Sequence, residues 1–240
     1  MGKRIHIKDE GMRRALDYHG IDIVDEMVDP DHLERLDSFD WGSTGIGEHD
    51  PDLFHSIDTL EGLEHAKKLK TVGLNGHGFE TLAPFANLND LEELWIHDNC
   101  LKDISAVKGK KKLRILDLSM NRQLEDISAV RGLPNLEMLQ VGTTKVKDIT
   151  VFDTLPNLRV ARFWYLEFER DTPNWETLLN LMERDVQVFV DHKYREQLGK
   201  DLAARKLKSA AAGDELGQRL TELELTDLAL MWSERKEKAE

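Results

Sequence analysis

The chain has 240 residues, 40% of them hydrophobic and 33% charged, a globular composition long enough for one elongated domain with a sizeable core. Its formal charge of −13 opposes binding to nucleic acid or to an anionic membrane, and no apolar run approaches the roughly 20 residues that cross a bilayer. Cys100 stands alone, so no internal disulfide framework holds the fold.

Residues 1–56 read as an acidic N-terminal α/β cap. KRIHI predicts a short strand, DEGMRRALDYHG a helix, and PDHLERLDSF a second helix begun at Pro30. No apolar stretch follows the first basic residues, which sets the expectation of a cytoplasmic location. The loop WGSTGIGEHDPD comes next, and its irregular glycines lack the GK[ST] element of a phosphate-binding loop. Between Gly20 and Glu64 fourteen carboxylates face one basic side chain, Arg35, so this segment carries the charge excess of the whole chain. A field of that sign attracts a basic protein surface.

A repeat occupies residues 57–170. Ile57, Leu60, Leu63 and Ala66 form a partial unit, with Asp50 and Asp52 at its strand positions. Leu69, Leu91, Leu113, Leu136 and Leu158 then open successive units, and apolar residues recur three and five positions on: Val72 and Leu74, Leu94 and Ile96, Leu116 and Leu118, Leu139 and Val141, Ala161 and Phe163. Asn99 and Asn121 stand where each unit leaves its strand, and His77 and Thr144 take the same place. An amide there can pair backbone groups left open by a tight coil, forming a ladder along the stack. The returning halves have their own apolar spacing, as in Phe79, Leu82, Phe85 and Leu88 or Leu124, Ile127, Val130 and Leu133. No unit can bury both sets alone, so units stack and their strands line up in a parallel sheet on the concave face. The run KGKKK, at the last apolar position of the second unit, predicts a basic outer loop containing Lys108, Lys110, Lys111 and Lys112; an extra residue near Arg122 and Gln123 predicts a bulged turn.

The segments LKDISAVKG, LEDISAVRG and VKDITVFDTLPNL make the chain from about Ile57 to Phe168 similar to bacterial internalin-type leucine-rich repeats, and less closely to the repeats of eukaryotic phosphatase regulators. The resemblance implies an α/β leucine-rich-repeat solenoid with capped ends and a non-catalytic role in binding another protein. Internalins are surface-attached, and host-cell adhesion is not carried over.

Residues 171–240 read as a mainly helical C-terminal cap. Thr172 and Pro173 open a helix through about Glu183, DVQVFVD alternates as a final strand, and two helices follow at about 194–211 and 214–236.

Chemistry is sparse. No H-E-x-x-H, cysteine pair or G-x-S-x-G is present, so no catalytic residue, cofactor or metal is expected. His55 and His77 both fall in ladder phase, and Glu48, His49, Asp50 and Asp52 lack recognised ligand spacing. Residues between the core positions of the strands point to the concave side. They include Glu93, Trp95, His97, Asp98, Ile115, Asp117, Met120, Met138, Gln140, Arg162, Trp164 and Tyr165, a mixture of aromatic, Met and Arg side chains that typifies interface cores. The expectation is capture of one protein partner on this face, with Trp95 near its middle. An immunity or inhibitor protein against a basic toxin is the specific form, and a scaffold or regulatory subunit of an enzyme assembly the alternative. Neither nucleic acid nor membrane is an expected partner.

Overall fold

The computed structural model describes residues 4–42 and 55–211, with side chains to 207. The loop from Ser43, the cluster Glu48, His49, Asp50 and Asp52, and the helix expected over 214–236 lie outside the described residues.

The N-terminal cap opens with β1 (Ile5–His6) and α1 (Glu10–Tyr18), followed by β2 (Ile23–Val24) and β3 (Met27–Val28). These strands form a small antiparallel sheet in the order β1-β3-β2. Asp9 joins this cap to the repeats. One carboxylate oxygen caps α1 by accepting from Met12 N at 2.8 Å, and the other accepts from the N–H groups of Asp58 at 2.7 Å and Thr59 at 2.9 Å. Met12, Ala15 and Leu16 face inward on α1, where they join the common core.

Where PDHLERLDSF was expected to form one helix, α2 spans only Pro30–Leu33 and β4 (Ser38–Asp40) takes the end of the segment. Leu33, Leu36 and Phe39 recur every three residues, which imitates a helix face, yet Phe39 lies opposite Val72 in strand register. Pairing with the otherwise raw edge of the sheet satisfies backbone groups that a short helix would leave to solvent. The first strand of the solenoid thus arises at Ser38–Asp40, within the segment read as cap.

β5 (Thr71–Gly73), β6 (Glu93–Trp95), β7 (Ile115–Asp117), β8 (Met138–Gln140) and β9 (Val160–Arg162) follow at the repeat spacing. The C-terminal cap adds α3 (Pro173–Glu183), β10 (Gln187–Phe189) and α4 (His192–Ala211). Seven strands run parallel in the order β10-β9-β8-β7-β6-β5-β4. Thr172 caps α3 by accepting from Trp175 N at 3.3 Å, as its position before Pro173 suggests.

The returning halves are short 3-10 turns, including Ala83–Phe85, Ser105–Val107, Ser128–Val130 and Thr150–Thr154. The D-I-S/T triplet starts three of them: the carboxylates of Asp103, Asp126 and Asp148 accept from Ser105, Ser128 and Thr150 N at 2.8, 2.7 and 2.8 Å. Thr81 Oγ1 does the same for Ala83 N at 3.1 Å. These bonds bend the chain so that Ile104, Ile127 and Ile149 enter the core beside the strand residues.

The ladder forms as its residue types require. Asn99 Nδ2 donates to Leu74 O and Ile96 O at 2.7 and 2.9 Å, and its Oδ1 accepts from His77 N at 2.9 Å. Asn121 Nδ2 donates to Ile96 O and Leu118 O at 3.0 and 2.9 Å, and its Oδ1 accepts from Leu101 N at 3.1 Å. His77 Nδ1 accepts from Ile57 N at 3.3 Å while Nε2 donates to Trp41 O, which fixes the neutral tautomer. Burial pushes the pKa of His77 down in keeping with that state. His55 departs from the ladder. It lies 3.4 Å from Glu10 at the start of α1, because the N-terminal cap, not another full coil, packs there.

Lys110 is the other departure, since it is 2% exposed and not part of an outer loop. It occupies the core position taken by Leu88, Leu133 and Leu155 in other units. Its Nζ donates to Phe85 O and Leu88 O, each at 2.8 Å, so the ammonium pairs carbonyls that end the preceding 3-10 turn. The alkyl stem fills the apolar position while the charge is spent on backbone. Burial lowers its pKa. Lys111 and Lys112 remain outside, Lys112 pairing with Asp90 at 2.7 Å.

Candidate partner-binding face

Parallel register sorts the concave residues into two rows. One runs Ser38, Thr71, Glu93, Ile115, Met138, Val160, Gln187; the other runs Asp40, Gly73, Trp95, Asp117, Gln140, Arg162, Phe189. Period-two alternation sends both rows away from the core. Beyond each strand the coil turns through one left-handed residue, namely Gly76, Asp98, Met120, Thr143 and Tyr165, with φ between 55° and 80°. Backbone bonds hold these turns in file: Gly76 N to His97 O at 3.2 Å, Asp98 N to Ser119 O at 3.0 Å, Met120 N to Gly142 O at 2.8 Å and Thr143 N to Trp164 O at 2.7 Å. Left-handed backbone costs a non-glycine residue on the order of 1 kcal/mol, and the ladder over-determines it here.

In the N-terminal half of the face the polar side chains turn toward one another. Trp95 is half-buried, and its Nε1 donates to Glu93 Oε2 at 3.2 Å. Asp117 is buried: its Oδ1 accepts from Ser119 N and Ser119 Oγ at 3.0 and 2.6 Å, and its Oδ2 lies 3.5 Å from His97 Nδ1. The carboxylate raises the pKa of His97 against the opposing effect of burial. Burial would raise that of Asp117, but His97 and Ser119 outweigh it and leave the group below its ordinary value. His97 N also donates to Asn75 Oδ1 at 3.1 Å.

At the C-terminal end a cavity of about 550 Å³ opens between the sheet and the start of α4, lined by Ser119, Met120, Gln140, Gly142, Thr143, Arg162, Trp164, Tyr165, Asp191, His192 and Arg195. Arg162 donates to Gln140 Oε1 at 3.2 Å and lies 5.1 Å over the ring of Phe189. Arg195 lies 5.7 Å over the indole of Trp164. Tyr165 is 76% exposed, and its N–H donates to the carboxylate of Asp191 at 3.2 Å. Gly142 has a steric reason, because a Cβ there would stand 2.9 Å from Trp164 O.

With this geometry, a family model described as leucine rich repeats matches residues 89–132 and 111–157 in two copies. The central units are leucine-rich repeats. An internalin (inlF) from Listeria monocytogenes str. 4b F2365 is similar in structure, with a TM-score of 0.54 at 22% identity over 75% of this chain. The chain spans 55% of that internalin's length. An internalin C2 (inlC2) from the same strain has a TM-score of 0.51 at 20% identity, covering 76% of this chain and 86% of its own. At such identity the likeness establishes the internalin-like fold. No curated protein matches in sequence.

The leucine-rich-repeat solenoid is a protein-interaction architecture, and of the twelve expected residues seven stand in the two strand rows while His97, Asp98, Met120, Trp164 and Tyr165 lie just beyond the strands. Two of them differ from expectation: Asp117 and Gln140, expected to be open, are 6% and 8% exposed, Asp117 against Ser119 and His97 and Gln140 against Arg162 and Met138. Met120 and Tyr165 leave the strand rows through the left-handed turns and stand on the rim beside the cavity. Asp191, His192 and Arg195 were missed. They come from the cap, and the signal was the alternating strand DVQVFVD, which ends on Asp191 and brings HKYRE, with His192 and Arg195, to the sheet end. Among the described residues no group of three or more His, Cys, Asp or Glu side chains could hold a metal ion, and no helix is long and apolar enough to cross a membrane.

Proposed function

We propose that this chain binds one protein partner on its concave face, anchored at the cavity between the sheet and α4, and that it acts as an inhibitor of the immunity type against a basic protein. One observation carries the binding site: Tyr165, 76% exposed in a left-handed turn, stands beside Trp164 and Met120 at a cavity mouth. Folding gains nothing from leaving a tyrosine ring in water, whereas a partner that covers it gains area from a residue whose backbone is already held by Asp191. Trp95, Ile115 and Met138 continue the face toward the N-terminus. The charge supports a basic partner, since Asp22, Asp25, Glu26, Asp31, Glu34, Asp37 and Asp40 are exposed on the N-terminal cap beside this sheet.

Affinity capture with purified chain tests the reading. A partner held by wild type and by Lys111→Ala, but lost by Trp164→Ala and Tyr165→Ala, supports the face; loss on Lys111→Ala with retention by the aromatic variants sinks it. A captured enzyme whose activity falls on adding the chain supports inhibition, and unchanged activity removes that part.

A further inference from the structure

The chemistry of the cavity between β9 and α4 goes beyond a general aromatic anchor. In a chain of net charge −13, two guanidinium groups line it, and neither has a carboxylate partner among the described residues. Each arginine carries five N–H donors. Among its described bonds Arg162 spends one on Gln140, and Arg195 spends one on Val190 O at 3.4 Å. Asp191 is the one carboxylate in the lining, and both its oxygens accept from Tyr165 N. The rings of Phe189 and Trp164 lie 5.1 and 5.7 Å from the two guanidinium carbons and restrict them, which lowers the ordering needed to receive an anion. Trp164, Tyr165 and Met120 supply an apolar wall around those charges.

Resting on the concave-face reading above, we infer that this cavity receives an acidic side chain of the partner, flanked by an aromatic or large apolar residue. The charge layout of the chain supplies the complementarity: exposed carboxylates crowd the N-terminal cap beside the first strands, and the guanidinium groups of Arg162 and Arg195 stand at the other end of the sheet. A partner seated along the sheet therefore presents its basic surface to the first strands and its acidic element to the last, which fixes the direction in which it lies. The volume of about 550 Å³ suits such an element, falling within the range of ligand-sized pockets.

The probes are two capped tripeptides, acetyl-Phe-Glu-Phe-amide and acetyl-Phe-Gln-Phe-amide, together with inorganic phosphate, followed by NMR of the indole and arginine ε N–H signals of the full chain. The glutamyl peptide should perturb the Trp164, Arg162 and Arg195 signals and bind about tenfold more tightly than its glutaminyl twin, the margin expected of a charge-assisted bond. Arg195→Gln, at an exposed position that leaves the core untouched, should abolish that preference. Equal binding of the two peptides, perturbation centred on Trp95, no perturbation at about 10 mM peptide, or displacement by phosphate at equal concentration would each overturn the acidic-residue assignment. The concave-face reading would survive any of these, because capture of the partner by the Tyr165→Ala variant decides it separately.

Discussion

The two halves of the concave sheet are built from the same repeat in the same register, yet they treat their polar groups in opposite ways. From β6 to β7 the functional groups serve one another: Trp95 bonds to Glu93, and Asp117 holds His97 and Ser119. From β9 to α4 the arginines stack on rings without meeting a carboxylate, and Tyr165 faces water. Identical backbone phase therefore does not make every concave residue equally available. What separates a residue that maintains the sheet from one left for a partner is whether its bonding capacity is already spent.

The comparison presumes that both halves share one core, and Leu118 tests this most severely. It is fully buried between the halves, so Leu118→Ala should cost about 2–5 kcal/mol. Denaturant unfolding should remain a single transition with a lower midpoint; two separate transitions would show that the halves fold independently. Next in size is a contrast on the face itself. Tyr165→Ala should weaken partner binding by about 2 kcal/mol with stability changed by less than about 0.5 kcal/mol. Trp95→Ala should weaken binding and also lower stability, since the half-buried indole is part of the sheet's own bonding. Equal effects of the two changes on stability would erase the distinction between the halves.

Most of the solenoid was legible because burial there repeats with the period of the chain. Leu94, Leu116 and Leu139 meet in register for the same reason that they align in sequence. β4 was not legible, because Phe39 is its sole apolar residue and the spacing from Leu33 and Leu36 imitates a helix. Lys110 misled in another way. A charge at a core position reads as a surface turn unless the backbone carbonyls that will meet it are known, and those come from the preceding unit. The face was legible as a set of outward positions, but exposure within it depends on side chains from adjacent strands, which is why Asp117 and Gln140 are covered. The cavity required contacts between β9 and a helix that no periodicity connects to it.

Lys110 and Lys111 extend the contrast between spent and unspent groups to the outer side. Lys110→Met keeps much of the stem but removes the donor to Leu88 O and leaves Phe85 O with Leu88 N alone, so a loss of about 1–3 kcal/mol is expected in denaturant titration. Lys111→Met, one residue along the chain at an exposed site, should stay within about 0.5 kcal/mol of wild type. Matching losses for the two would place Lys110 outside the core.

The smallest expected effect tests the self-satisfied half most directly, through the pH dependence of His97 and Asp117. The Asp117 carboxylate raises the pKa of His97, so this group adds stability that is fully present below the unfolded value of about 6.5 and is lost as pH rises through the raised folded value. Asp117 acts in the other direction. Burial opposes its ionisation, but His97 and Ser119 prevail and depress its pKa, so its contribution is present above the unfolded value of about 3.9 and is lost as pH falls through the depressed one. Both contributions coexist between about pH 4 and about pH 6.5. The His97 side chain is 34% exposed and solvent screens the pair, which holds the effect below about 1 kcal/mol. Denaturation at about pH 5.5 and about pH 8 should show wild type losing a few tenths of a kcal/mol more than His97→Gln over that interval. An NMR titration should show the His97 midpoint falling in Asp117→Asn. If wild type and His97→Gln decline in parallel and the midpoint does not move, the charges between β6 and β7 are not spent on one another. That half of the face would then be as open to a partner as the arginine end.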